Sequence, residues 1–224
     1  MPLLDRRDGG RRLAQRLRAL GGSDVVVLGL PAGGVPVAYE VATGLGAPLD
    51  LAVVGALTVP YQPWLVFGAL GEGGVQVFDE DVIAHAFVGE PERRAVIREQ
   101  RAKLRHNVIR YRREHTPLPL HEVTAVIVTD GLDTAATARA GVAIARARGA
   151  ARVVAAAPVG SGPALRAVSP VVDALVCAEI PTLFGSTGTW YRDFDDVTEP
   201  EVCTLLDRAA TSNPAPLLGR PASN

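Results

Sequence analysis

Lysine is almost missing from this chain: of 23 basic residues 22 are arginine, and the exception is Lys103. No lysine or arginine lies between Arg18 and Arg93. Aromatic residues make up only 5% of the sequence, too few for a platform on which bases could stack. The net charge of −1 likewise argues against a nucleic-acid partner. Two cysteines, Cys177 and Cys203, do not make a disulfide framework. No apolar run reaches the roughly 18–20 residues a membrane helix needs. The first residues, MPLLDRRDGGRR, hold no apolar signal core. His85, His106, His115 and His121 show no metal-ligand spacing, so no metal held by a direct side-chain cluster is expected. These absences lead to the expectation of a cytoplasmic protein with free thiols, no membrane partner and no nucleic-acid partner.

What is present suits a globular domain. Of the 224 residues, 48% are hydrophobic and 21% charged, enough to bury one core. Leu13, Leu17 and Leu20 fall at helical spacing within residues 5–20. The runs at 24–30, 49–57, 124–130 and 152–159, with DALVCAEI at 173–180, read as buried strands. Helical segments separate them, which predicts an α/β fold with a mainly parallel central sheet flanked by helices. Residues 58–115 interrupt the alternation. LVFGAL and VQVF around GEGG predict a hairpin, and 81–115 predict one or two helices, the second rich in arginine. The expected organisation is a single domain over 1–209, with 58–115 as an inserted hairpin and helical cap, and a disordered tail over 210–224.

In such sheets ligands bind at the carboxyl ends of the strands. Two loops stand out there: PAGG after the first strand and TDGLDTAAT after the third. The second suits a phosphate. Small residues let backbone N–H groups approach an anion, the helix that follows adds its dipole, and Thr134 and Thr137 add hydroxyls. The competing reading is that Asp133 or Thr134 merely caps that helix.

IVTDGLDTAAT resembles the phosphoribosyl-pyrophosphate (PRPP) motif of type I phosphoribosyltransferases, in which two acidic residues precede Gly-x-x-Thr-Gly-x-Thr. LGLPAGGVPVAYEVA resembles the same family's pyrophosphate loop, usually Pro-Arg-Gly-Gly. VVGALTVP stands where a bacterial subgroup has Val-Arg-Lys-Leu-Gly-Val-Pro, and WYRDFDDVTEPEV also resembles that subgroup. The resemblance covers about residues 5–208 and implies the type I phosphoribosyltransferase fold. It implies ribose contacts at Thr129 and Asp130. It implies 5′-phosphate contacts from Gly131, Asp133, Thr134, Ala135, Ala136 and Thr137, and a pyrophosphate loop of Ala32, Gly33 and Gly34. It further implies a ligand that is PRPP or a nucleoside monophosphate, Mg²⁺ accompanying PRPP in an active member, and a homodimer.

The departures are specific. Thr129 replaces the first acid, Ala135 the second glycine of the motif, Ala32 the loop arginine, and Gly55-Ala56 the Arg-Lys pair. Asp133 adds negative charge, and the Ala135 methyl is expected to crowd a phosphate. Each change subtracts anion affinity or a sugar contact, so binding of a phosphorylated ribose is favoured over ordinary transfer of phosphoribose to a base. The alternative is a non-catalytic interaction or regulatory protein that keeps the fold without the site. Candidate replacement cations are Arg139, Arg192 and the arginines of 93–113. Those arginines otherwise read as a solvated face of a helix whose Val96, Ile97, Leu104, Val108 and Ile109 pack inward. Tyr61, Pro63 and Trp64 are candidates for the acceptor side of the cleft.

Overall fold

The computed structural model describes residues 2–20, 24–113 and 115–213. Of the tail expected over 210–224, residues 210–212 end the helix Glu199–Ser212, and those from 214 onward lie outside the described residues. Five strands form the central sheet: β1 (Val25–Gly29), β2 (Leu49–Leu51), β6 (Thr124–Val128), β7 (Arg152–Val159) and β8 (Ala174–Glu179). All neighbours pair in parallel, in the order β2-β1-β6-β7-β8. Both faces are covered, and the period-2 geometry of a strand sorts the side chains. Val25, Val27, Val126 and Val128 join one core with α1 (Arg6–Leu17), α2 (Gly34–Leu45) and α7 (Glu199–Ser212). Val26, Leu28, Ala125 and Ile127 pack on the other side with α5 (Ala136–Ala147). A smaller cluster joins Ala155 and Ala157 to α6 (Gly162–Val168).

The run 49–57 is not one strand, as its composition suggested. It breaks after Leu51, and β3 (Val54–Val59) enters a second, antiparallel sheet with β4 (Gln62–Gly71) and β5 (Gln76–Phe78). The expected hairpin around GEGG is the β4–β5 pair. Past the strand end the N–H of Val53 donates to the Glu72 carboxylate, 3.1 Å away. Helices α3 (Glu80–His85) and α4 (Glu90–Arg112) follow β5.

The arginine-rich helix is α4, and it follows the solvated-face reading in part. Leu104 is buried, Val96, Ile97 and Val108 pack against the core, and Arg94, Arg98, Arg101 and Arg105 are exposed. Ile109 points outward, 71% exposed. Arg112 turns inward instead. Its guanidinium grips Glu72 with Nε and Nη2, at 3.2 and 2.8 Å, binds Asp50 and donates to the Leu51 carbonyl at 2.9 Å. Arg148, at the end of α5, holds the other oxygen of Asp50 at 2.6 Å. Asp50 is only 4% exposed as a side chain, and it also accepts from the backbone N–H of Leu51 and Leu118. Burial alone would lower the pKa of Arg112. Its bond to Glu72 and the charges of Asp50 and Glu72 outweigh that and raise it. Two carboxylates and two guanidiniums thus fasten α4 and the second sheet to the end of β2. No helix among the described residues is long and apolar enough to cross a membrane.

Candidate functional site

The strand order reverses direction between β1 and β6, which is where an open α/β sheet forms a crevice. The two loops singled out above follow those strands and face each other across a cleft of about 280 Å³. Gly33 and Gly34 line it from one loop, and Thr129, Asp130, Gly131, Asp133, Thr134 and Thr137 from the other. Val54 and Ala56 of β3 close a side. Leu132 anchors the second loop: it is buried, and its N–H donates to Val159 of β7.

Helix α5 begins at this cleft without a side-chain cap, since its N-cap residue is Ala135. The capping role open to Asp133 or Thr134 is therefore not taken. Free N–H groups at a helix N-terminus favour an anion. The Ala135 methyl does not crowd the cleft as expected. Ala135 packs against the Leu132 cluster and does not line the cleft. Ala135 and Ala136 offer only backbone here. Ala32 likewise packs its methyl on the α1–α2 core and does not line the cleft. The peptide before it, Pro31–Ala32, is cis.

The glycines of the first loop make room for close neighbours. A Cβ at Gly33 would overlap Asp130 Oδ2, and one at Gly34 would lie 2.7 Å from the Val128 carbonyl oxygen. A Cβ at Gly131 would overlap the side chain of Thr187. The first place of the Arg-Lys pair is also occupied: the Gln100 amide of α4 lies against Gly55, while Ala56 lines the cleft.

Among the described residues, the cation bonded to a cleft side chain is one the sequence reading did not name. Arg6, in the first turn of α1, donates from Nε to Asp130 Oδ2 at 3.0 Å. Its Nη1 donates to the Asp195 carbonyl at 2.6 Å, and its guanidinium lies 3.8 Å over the Phe194 ring. Tyr191 stacks on Phe194 and donates its hydroxyl to the Asp130 carbonyl. Burial, with the charge of Asp130 beside it, pushes the Tyr191 pKa up, so the phenol stays a donor. The signal for this cluster was WYRDF itself, but nothing local ties that segment to residue 6. Arg139, Arg192 and the α4 arginines do not line the cleft, nor do Tyr61, Pro63 and Trp64. Tyr61 bonds the Ala86 carbonyl at 2.5 Å, and Trp64 is 75% exposed. Cys177 and Cys203 form no disulfide. Burial raises the Cys177 pKa to about 11, so this thiol is protonated and unreactive at neutral pH.

The parallel sheet, the crevice at its reversal point and the two loops that border it define an α/β protein of the type I phosphoribosyltransferase fold. No family model matches the chain. Over 205 residues, 92% of the chain, it is 48% identical to proteins from two strains of Mycobacterium tuberculosis, "Putative phosphoribosyl transferase MT0597" and "Putative phosphoribosyl transferase Rv0571c". The chain spans about half the length of these relatives, 46%. It also resembles the crystal structure of TT1426 from Thermus thermophilus, with a TM-score of 0.76 and 35% identity, covering 92% of this chain and 98% of that one. The relatives matched over most of this chain are thus named as phosphoribosyl transferases, and the chain shares the type I phosphoribosyltransferase fold.

Proposed function

We propose that this chain binds a phosphorylated ribose, ribose 5-phosphate or a nucleoside monophosphate, and does not stabilise departing pyrophosphate well enough for ordinary transfer. The observation that carries the reading is the uncapped N-terminus of α5, opening on the cleft with Gly131, Thr134 and Thr137 around it. A 5′-phosphate would take those N–H groups and hydroxyls, and Asp130 would accept from the ribose hydroxyls. The other half of the cleft explains the limit. The first loop offers backbone but no cation, and the Arg-Lys pair is replaced by Gly55, covered by Gln100, and by Ala56. Each charge-assisted contact to phosphate is worth about 1.5–3 kcal/mol, so losing two or three weakens the hold on pyrophosphate by roughly a thousandfold or more.

The donor set does not fit a resident Mg²⁺. The loop presents Thr129 where a first carboxylate would stand, and Asp130 is already bound to Arg6. No group of three or more His, Cys, Asp or Glu among the described residues could hold a metal ion. In this proposal Mg²⁺ arrives only as part of a PRPP complex.

Calorimetric titration tests the reading. Ribose 5-phosphate and nucleoside monophosphates are expected to bind at micromolar to millimolar concentration with little dependence on Mg²⁺, and Asp130→Ala is expected to weaken them at least about tenfold. Tight, Mg²⁺-dependent binding of PRPP would overturn the limit on transfer and call for a screen of acceptor bases. Silence from every ligand would favour an interaction protein that keeps only the fold. We also propose a homodimer, supported by the exposed Trp64 and Phe87, 75% and 87% accessible. Light scattering on the same sample should give about twice 23.5 kDa.

A further inference from the structure

We propose that Arg6 is the positioning residue of this cleft, a guanidinium brought in by the N-terminal helix to fix and neutralise Asp130 in place of the cations the loops lack. The inference rests on the ribose-phosphate reading and says how a single carboxylate can serve an anionic ligand.

Arg6 sits where helix physics disfavours it. It is the first residue of α1, where the helix dipole favours acids, and Asp5 already caps that end by accepting from the Asp8 N–H at 2.6 Å. Yet the Arg6 side chain is only 12% exposed and is held on three sides: by Asp130, by the Asp195 carbonyl and by the Phe194 face. An arginine on an aromatic face is attracted by the ring quadrupole, and its fixed fork loses little further freedom. The backbone around it is fixed as well. Leu3 donates to Trp190, while Arg192 and Asp193 donate back to Leu3 and Leu4. The chain start and the 190–195 segment are thus stitched together beside the cleft, and Arg6 is their product.

The position of Asp130 follows. Its Oδ2 occupies the gap left by the missing Cβ of Gly33 and receives Arg6 there. Its Oδ1 receives, among the described residues, only a long 3.4 Å contact from the Thr129 hydroxyl. One oxygen is therefore pinned and the other is left for a ligand hydroxyl. A bare carboxylate beside a phosphate would repel it. Paired with Arg6, Asp130 accepts sugar hydroxyls without that penalty.

The test compares wild type, Arg6→Met, Arg6→Lys, Asp130→Asn and the Arg6→Met/Asp130→Asn double variant. NMR titration with ribose 5-phosphate still reads weak binding, and thermal unfolding runs alongside. Arg6→Met is expected to weaken binding about 10- to 100-fold, and Arg6→Lys to recover part of it. In the Asp130→Asn background the loss of Arg6 should change affinity by less than about twofold, because its effect runs through Asp130. Multiplying effects in the double variant would mean that Arg6 acts without Asp130 and would overturn the proposal. Unchanged binding in Arg6→Met would make Arg6 a structural strut, and tighter binding would make it a block on Asp130. Either result overturns it. Wild type that binds no ribose phosphate fails the cleft reading and this inference together, whereas a binding wild type with an unaffected Arg6→Met fails this one alone. Should Arg6→Met not fold, Phe194→Leu removes the ring beneath the guanidinium and should weaken binding about threefold by the same route. No weakening there would overturn the inference.

Discussion

Arg112→Leu should destabilise the protein by about 3–5 kcal/mol, the usual cost of stripping one partner from a buried ion pair. For a chain of this size that corresponds to a fall in Tm of roughly 6–20 °C. The magnitude follows from what remains. Glu72, 13% exposed as a side chain, loses both bonds to its cation, and Asp50 keeps one of its two guanidiniums, that of Arg148. The Leu51 carbonyl loses one of its donors too. An internal comparison isolates the effect of burial. Arg110 pairs with Glu199 across an exposed edge, the two side chains 52% and 30% accessible, so Arg110→Leu should cost less than about 1 kcal/mol. Chemical denaturation of both variants decides the matter. If the two cost the same, the Asp50 network is hydrated and does not fasten the second sheet.

Two adjacent glycines should fail in different ways. Gly34→Ala puts a methyl group 2.7 Å from the Val128 carbonyl oxygen and 3.0 Å from the Thr129 Cα. Both are backbone at the end of β6 and cannot swing aside, so the β1 and β6 ends must part. A loss of stability of about 1–3 kcal/mol or more is expected, as for other overpacked sites. Gly33→Ala instead meets the carboxylate end of the Asp130 side chain. A side chain can rotate where backbone cannot, so the fold should survive, losing what the Arg6–Asp130 pair contributes. The Arg6–Asp130 pair should break, and ribose 5-phosphate affinity should drop at least about tenfold. The reverse pattern, with an unstable Gly33→Ala and a stable Gly34→Ala, would mean that the loop packs differently against β6.

Much of the fold could be read from the chain because its signals are local. A five-residue apolar run bounded by glycine or by polar residues reads as a buried strand wherever it lies, and so β1, β6 and β7 were legible. The two loops were legible because glycine and small hydroxyl residues mark close backbone approach. The run 49–57 misled for the same reason. Its composition is uniformly apolar apart from Asp50, and that one acid is where the chain leaves the central sheet. A single carboxylate in an apolar run signals a buried partner but does not say which.

The sequence alone determined the alternation of strands and helices and the two cleft loops, because apolar periodicity and glycine placement act over a few residues. The tertiary structure alone decided which charges meet. Arg6 and Asp130 lie 124 residues apart, and Arg112 and Asp50 lie 62 apart. With 23 basic and 24 acidic residues in the chain, no local rule selects those pairs. The selection is made by burial. Only where the packed sheet excludes water does a guanidinium become committed to one carboxylate, and only the folded chain specifies where that is.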